Sequence, residues 1–340
     1  MSRVYVETSG ESAALATAEA VAAAQALGGG DPPGNRAPIA GLTEVELPDG
    51  RDAGELAGRL ALARRCLELR AAEPIAPWLA RAASAGGSAA VRRLGRPSSG
   101  GTDPAVLAAG RAFAAAGGRI DLDAPQRRFW LAAGPDGADR LLEEVAAVDR
   151  KAASARRMPT LPFQRPVSLP PRLARAAANL ARVRPGDRVV DPFVGTGALL
   201  AEAGLLGARL YGVDRDPEMV RGTLRNLAHL GVHAEELRVG DAGVAEFDSP
   251  APFDALLTDP PYGRASSTGG EGAAAVVERV LPRWAERVRP GGRVVVISPG
   301  PALPPGPAWG EVLAVPIRVH RSLTREFRVY ERTALTSTSS

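Results

Sequence analysis

Three acids stand where they could do chemistry, because each comes directly after a run that is typical of a buried strand. Asp191, Asp214 and Asp259 close these runs, and an acid at the carboxyl end of a parallel strand can accept hydrogen bonds from a bound ligand. Asp259 opens the sequence Asp-Pro-Pro-Tyr. Since proline fixes the backbone φ, the carbonyl of Pro260 is held rigidly beside the carboxylate. The pattern predicts a site that receives both N–H groups of an amine.

An exocyclic amine on a nucleobase is a poor nucleophile, because its lone pair is delocalised into the ring. Asp259 and Pro260 would bias the nitrogen toward a tetrahedral geometry and direct its lone pair at an electrophilic methyl group. Pro261 stiffens the same turn, and Tyr262 offers a face on which a base can stack. We predict these four residues as the catalytic group. The methyl donor expected here is a sulfonium, whose sulfur is already a good leaving group, so no metal is expected.

A glycine-rich turn follows the first of the three strands, in the sequence DPFVGTGA from Asp191 to Ala198. Glycines at this point let the backbone approach a ligand closely. The dinucleotide fingerprint would need a third small residue where Leu200 stands. Asp191 would repel a pyrophosphate and instead suits a cationic group, such as the ammonium of S-adenosyl-L-methionine.

The other acids address the rest of the same cofactor. Asp214 can accept hydrogen bonds from ribose hydroxyls, and Asp241, after the next strand, can accept one from the adenine amine. We predict that S-adenosyl-L-methionine is held by Asp191, Phe193, Gly195, Thr196, Gly197, Asp214, Asp241 and Ala242. A structural glycine turn capped by acids and a nicotinamide enzyme remain alternatives.

The elements that carry these residues alternate between strands and helices over residues 168–332. This order predicts an α/β domain with a mostly parallel sheet, ended by a hairpin-like pair near 311–319 and 326–331. Residues 151–167 are basic and contain prolines, which predicts a linker. The polar segment 333–340 is predicted to be a disordered tail.

Residues 1–150 mix strands and helices in the manner of a smaller α+β domain. Apolar spacing predicts one helix over 54–69, with Cys66 in its core face, and another over 139–149. This part of the chain names no chemistry by itself.

The motifs together resemble class I S-adenosylmethionine-dependent methyltransferases that act on amines. More closely, the chain is similar to the archaeal-type tRNA guanosine-N2 methyltransferases, which modify position ten of tRNA. The similar segments are SLPPRLARAAANLA (168–181), DPFVGTGALLAEAGLLGARLYGVDRDPEMVRGTLRNL (191–227), DALLTDPPYGRASST (254–268) and RVHRSLTREFRVYE (318–331).

The resemblance implies a Rossmann-like class I methyltransferase fold, a seven-stranded mostly parallel sheet with a C-terminal antiparallel strand. It also implies a THUMP-like RNA-binding region over 1–150, and methyl transfer to the N2 amine of a guanosine in tRNA. Arg264 and Phe163 are implied as substrate-binding residues. One departure lies at 161–168, where LPFQRPVS replaces the aromatic pair and His-Pro-Gly-Ser of the family.

Charge adds a weaker indication of an RNA partner. The net charge is +4 over the chain, but residues 151–188 hold nine basic side chains against one acid. We predict phosphate contacts from Arg156 and Arg157, with a solvated linker as the alternative. Arg325 is predicted either to contact the RNA near its target or to be an ordinary surface charge.

Composition excludes several other classes of protein. One cysteine permits no internal disulfide and suits a reducing, cytoplasmic setting, and three histidines with that cysteine do not make a thiolate or imidazole zinc site. No apolar run approaches the length of a membrane span, and no export signal is recognised. Two alternatives stay open, namely an amino-methyltransferase acting on ribosomal RNA, a DNA base or a protein glutamine, and a catalytically silent RNA-binding protein.

Overall fold

The computed structural model describes residues 1–9, 12–31, 39, 41–95, 103–156, 160–165, 168–248, 251–261, 273–298, 308–320 and 323–333. Within these ranges no helix has both the length and the apolar character needed to cross a membrane. Tyr262, Arg264 and Arg157 lie outside the described residues, as does the predicted tail apart from Thr333.

The chain forms two compact units. Unit 1 comprises residues 1–13, 27–58 and 63–149, and unit 2 comprises residues 14–26, 59–62 and 150–340. Two short segments from the predicted N-terminal region therefore belong to unit 2, which the sequence-based division does not predict.

Strands β1 to β7 form one sheet in unit 1, in the order β2-β1-β3-β7-β6-β4-β5. In chain order the elements are β1 (Ser2–Thr8), α1 (Ala13–Ala26), β2 (Leu42–Leu47), α2 (Ala53–Arg59), β3 (Ala63–Ala72), α3 (Ala76–Ser84), β4 (Ser88–Arg93), α4 (Pro104–Ala115), β5 (Arg119–Ile120), β6 (Arg127–Ala133) and β7 (Asp139–Ala147).

Two helix predictions in this region are wrong. The predicted helix over 54–69 is the short α2 followed by β3, which carries Cys66, and the predicted helix over 139–149 is β7. Both strands lie inside the sheet, where cross-strand ion pairs join them to their neighbours. Arg65 of β3 pairs with Glu144 of β7, and Arg127 of β6 pairs with Glu143. These partners are distant in sequence, so local helix preference loses to tertiary pairing.

Unit 2 holds a second seven-stranded sheet, in the order β10-β9-β8-β11-β12-β14-β13. The first five strands in this order, β10, β9, β8, β11 and β12, are parallel, while β14 runs antiparallel to both β12 and β13. The elements are α5 (Arg150–Ala155), α6 (Pro171–Leu180), β8 (Arg188–Asp191), α7 (Ala198–Gly204), β9 (Arg209–Asp214), α8 (Pro217–His229), β10 (Ala234–Val239), β11 (Phe253–Thr258), α9 (Ala273–Ala285), β12 (Val288–Ser298), β13 (Trp309–His320) and β14 (Leu323–Arg332).

This sheet is buried on both faces, which explains its continuous aliphatic runs. Successive residues point to opposite faces of a strand. Val189 of β8 and Leu257 of β11 belong to one apolar cluster, whereas Val190 and Leu256 belong to the other. The mostly parallel sheet with its antiparallel last strands confirms the predicted α/β fold of this region.

Helix α1 packs within unit 2 through both apolar and polar contacts. Leu15 and Ala16 join the same apolar cluster as Ala177 of α6. Glu19 is fully buried, and its carboxylate accepts hydrogen bonds from the amides of Ala61 and Leu62 and from Nδ2 of Asn179. Although it comes early in the sequence, α1 is thus part of the core of unit 2.

Candidate active site

The strand order brings the three predicted acids to one edge of the sheet. Strands β9, β8 and β11 are adjacent and parallel, so their carboxyl ends meet there. Asp214 ends β9, Asp191 ends β8, and Asp259 directly follows β11. This juxtaposition is what a ligand-binding edge of such a sheet requires.

The glycine-rich turn after β8 takes a backbone shape that favours glycine. Gly195 has φ 54° and Gly197 has φ 81°, both in the left-handed region. A Cβ on Gly197 would also lie only 2.6 Å from Cγ2 of Thr223. The hydroxyl of Thr223 in turn donates a hydrogen bond of 2.9 Å to the carbonyl of Gly195, so α8 holds the turn tightly.

Asp214 ties the end of β9 to this turn. Its Oδ2 accepts a hydrogen bond of 2.8 Å from the amide of Gly195, and its Oδ1 accepts one of 2.9 Å from the amide of Asp216. Burial raises the pKa of the Asp214 carboxyl above its ordinary value, although the hydrogen bonds from these two amides act to lower it. Each carboxylate oxygen has a second lone pair, so the side chain can still accept ribose hydroxyls.

Asp191 is almost completely buried, with an exposed fraction of 1%. Its Oδ1 accepts hydrogen bonds from the amide of Phe193 at 2.9 Å and from the hydroxyl of Thr258 at 3.0 Å. Burial raises the pKa of Asp191 to about 7, and the nearby Asp259 and Asp214 act in the same direction. A cation placed beside it would relieve this cost, and the ammonium partner of Asp191 stays a prediction.

Asp241 already has protein partners. Its carboxylate accepts a hydrogen bond from the amide of Gly243 and forms an ion pair with Arg279. These groups hold the pKa of Asp241 below its ordinary value. Ala242 is buried, and its carbonyl accepts a hydrogen bond from the indole of Trp284. The predicted contacts of both residues with adenine stay predictions.

Asp259 has two carboxylate oxygens in different situations. Oδ2 accepts a hydrogen bond of 2.9 Å from Nη1 of Arg325 on β14. Oδ1 is buried and has no hydrogen-bond partner among the residues that the structure describes. Burial raises the pKa of Asp259 to about 6, while Arg325 lowers it. Pro260 is buried and Pro261 half-buried beside this carboxylate.

Arg325 is a site residue that the sequence analysis misplaced. Its exposed fraction is 3%, and it is paired with Asp259, so it is neither a surface charge nor accessible to RNA phosphate. The segment 318–331 marked it only as part of the family pattern. No spacing rule could have found a partner so distant in the sequence.

Asn226 of α8 is a second residue that the sequence analysis missed. It is buried, and its Nδ2 donates to the carbonyls of Phe163 and Thr196, while its Oδ1 accepts from the amide of Phe163. A single side chain thus joins the glycine-rich turn to the segment before α6. An asparagine on the buried face of a helix was the available signal.

The two described residues that are predicted to bind substrate have partners within the protein. Phe163 is buried, with its ring against Gly222, and its contact with substrate stays a prediction. Arg156 forms an ion pair with the buried Glu202, which Arg175 also contacts. Most of its guanidinium is therefore committed, and a phosphate contact from Arg156 stays a prediction.

The strand order, the glycine-rich turn and the acids at one sheet edge define a Rossmann-like fold of the class I methyltransferase type. Comparison with known families agrees, since residues 160–303 match UPF0020, described as an RMKL-like methyltransferase domain. The chain belongs to the family of the archaeal tRNA (guanine(10)-N2)-dimethyltransferases.

Three known proteins illustrate the similarity. The tRNA (guanine(10)-N2)-dimethyltransferase of Methanothermobacter thermautotrophicus is 38% identical over 56% of this chain and 57% of its own length. A probable enzyme of the same name from Methanothermococcus thermolithotrophicus is 32% identical over 48% of this chain and 99% of its own length. The crystal structure of TrmN from Thermus thermophilus aligns over 97% of this chain and 99% of that one, at 24% identity and a TM-score of 0.49.

The match to longer relatives is partial. The chain spans 57% of the Methanothermobacter protein, and 32% and 46% of the proteins of the same name from Pyrococcus abyssi and Methanocaldococcus jannaschii. What the similarity shows is therefore the family.

Proposed function

We propose that this protein transfers methyl groups from S-adenosyl-L-methionine to the exocyclic N2 amine of a guanosine in tRNA. The observation that carries the proposal is the buried Oδ1 of Asp259, an acceptor that has no partner among the described residues. A buried acceptor is costly unless a donor reaches it. An amine N–H of the target base would be such a donor.

The residues around Asp259 would activate the amine by accepting its hydrogens. Oδ1 of Asp259 would receive one N–H and the carbonyl of Pro260 the other, which draws the nitrogen lone pair out of the ring and orients it. S-adenosyl-L-methionine, when bound, supplies a methyl group on a positively charged sulfur. Because that sulfur leaves readily as a neutral thioether, the reaction needs no metal, and the nitrogen that gains the methyl group loses one proton to water.

The cofactor would lie along the edge formed by β8, β9 and β10. Asp191 would face its ammonium group, Asp214 its ribose hydroxyls and Asp241 its adenine amine. The raised pKa of Asp191 supports a cationic ligand beside it, because nearby positive charge favours the ionised carboxylate.

Relatives supply the substrate in this proposal. The relatives from Methanothermobacter, Pyrococcus and Methanocaldococcus are named as dimethyltransferases that act on N2 of guanine 10 in tRNA. We assign the same base to this chain and assign tRNA binding to unit 1. We place the protein in the cytoplasm, a location that suits its single, buried Cys66.

Nucleoside analysis tests the assignment directly. Unmodified tRNA transcript is incubated with the full chain and labelled cofactor, then digested and separated, with a transcript lacking guanosine at position ten as the control. N2-methylated guanosine in the first transcript and none in the second is the expected result. Label in adenine or cytosine of the transcript, or no label at all, would contradict the proposal.

A further inference from the structure

The ion pair between Asp259 and Arg325 joins two strands that are not neighbours. Asp259 follows β11 and Arg325 lies on β14, with β12 between them in the sheet. The guanidinium Nη1 is 2.9 Å from Oδ2. The side chains of Asp259 and Arg325 are 17% and 4% exposed, so water screens their attraction little.

Among the residues that the structure describes, Arg325 is the only cation found to lower the pKa of Asp259. Asp191 at the end of β8 lies close enough for Asp259 to raise its pKa. At Asp259 itself, burial raises the pKa and Arg325 lowers it. The charge of the carboxylate therefore depends on the guanidinium.

The same contact distinguishes the two oxygens of the carboxylate. Oδ2 is occupied by Arg325, while Oδ1 is buried without a hydrogen-bond partner among the described residues. A carboxylate fixed at one oxygen cannot rotate without losing a charge-assisted hydrogen bond.

We propose that Arg325 is a positioning residue for methyl transfer: by binding Oδ2 it keeps the carboxylate of Asp259 charged and oriented, and it reserves Oδ1 for one N–H of the target amine. This inference rests on the proposed function. Arg325 touches neither cofactor nor base in this scheme and acts only through Asp259.

Without the guanidinium, nothing described would offset the effect of burial, and the pKa of Asp259 should rise. A protonated carboxyl is a weaker hydrogen-bond acceptor, so it activates the amine less. Arg325→Gln should therefore move the acidic limb of the pH–rate profile to higher pH by about one to three units. Arg325→Lys keeps a positive charge and should leave that limb near its wild-type position, with a lower rate because lysine cannot hold the carboxylate in the same geometry.

The experiment measures single-turnover methyl transfer by the full chain from about pH 5.5 to about pH 9, at saturating cofactor and tRNA. The matched control is Arg328→Gln, which removes an arginine from the same strand whose partners are Glu326 and Glu311. Its profile should coincide with that of the wild type. An unchanged acidic limb in Arg325→Gln would overturn the inference.

A double variant keeps the test decisive if Arg325→Gln folds poorly. Asp259→Asn together with Arg325→Gln removes both buried charges, so no charge is left uncompensated. If Arg325 acts only through Asp259, this variant should turn over within about threefold of Asp259→Asn alone. A further loss beyond that would show that Arg325 acts elsewhere.

A second measurement separates this inference from the proposed function. The carboxyl band of Asp259, identified by infrared difference against Asp259→Asn, can be titrated without any substrate. Its midpoint should rise in Arg325→Gln and stay in Arg328→Gln. A midpoint that does not move overturns the role of Arg325 whatever the substrate, whereas an absence of methylated guanosine with the wild type overturns the proposed function.

Discussion

The hydroxyl of Thr258 lies 3.0 Å from Oδ1 of Asp191, so the last residue of β11 holds the acid at the end of β8. Thr258 also directly precedes Asp259. One strand end therefore positions the predicted methyl-transfer carboxylate and, through a hydroxyl, the predicted ammonium-binding carboxylate. The two halves of the candidate site are mechanically linked at this point.

Loss of the Thr258 hydroxyl should weaken cofactor binding. Thr258→Val keeps the shape of the side chain but removes a donor to Asp191, which raises the pKa of that buried carboxyl further above about 7. Affinity for S-adenosyl-L-methionine at neutral pH should fall about tenfold, measured by calorimetry. Thr333→Val, which loses a hydroxyl bond to the carbonyl of Ala308, is the control. Equal affinities in all three proteins would refute the link.

Asp191 should make the cofactor-free protein less stable at neutral pH. Because burial raises its pKa to about 7, the native state holds a proton between about pH 4 and pH 7 that the unfolded chain has released. The free energy of unfolding therefore falls as the pH rises through this window and stays low above it.

Asp191→Asn should remove this penalty, raising the free energy of unfolding at about pH 8 by as much as about 4 kcal/mol while cofactor binding is lost. Chemical denaturation at about pH 8 and pH 4 checks both ends of the window. The exposed Asp248→Asn should change stability by less than about 0.5 kcal/mol. If Asp191→Asn were less stable than the wild type at the higher pH, burial of the ionised Asp191 would not be destabilising.

Methyl transfer should depend on the ionisation of Asp259. Its pKa of about 6 predicts a single-turnover rate that is level at higher pH and falls about tenfold per unit below pH 6, since only the carboxylate accepts the amine hydrogen. Saturating cofactor keeps the titration of Asp191 out of the profile. A rate that rises toward low pH would exclude the assigned role.

Gly197 should be irreplaceable for two separable reasons. Gly197→Ala meets both a left-handed φ of 81° and a Cβ contact of 2.6 Å with Thr223. Gly231→Ala meets a similar φ of 69° with open space around its Cβ, so it isolates the backbone cost of about 1 kcal/mol. Thermal unfolding should show the larger loss in Gly197→Ala, and cofactor affinity should fall only there. Equal losses would mean that the contact with Thr223 yields easily.

The second domain was predictable because its decisive features are local. Each strand is a short aliphatic run, each acid follows directly on a strand, and parallel order then brings Asp191, Asp214 and Asp259 to one edge. Unit 1 was harder, since segments such as 139–149 have a helix-like pattern and become strands only through partners far along the chain. Glu143 needs Arg70 and Arg127 beside it, and no local pattern specifies them.

Long-range polar partners were also beyond reach of the sequence. Neither the pairing of Arg325 with Asp259 nor the bridge from Asn226 to Thr196 has a characteristic spacing. The placement of α1 in unit 2 has a practical consequence as well. Deleting residues 1–150 would remove Leu15 and Glu19 from the core of unit 2, so point substitutions are the better test of RNA binding by unit 1.

The role of the Asp259 carboxylate is tested by comparing Asp259→Asn with the wild type in single turnover, with cofactor affinity measured on the same preparations. Asparagine keeps the shape of the side chain but loses the charge that draws hydrogen from the amine. The rate should be about a hundredfold lower or more, with the dissociation constant of S-adenosyl-L-methionine within about threefold of wild type. An unchanged rate, or a loss explained entirely by weaker cofactor binding, would contradict that role.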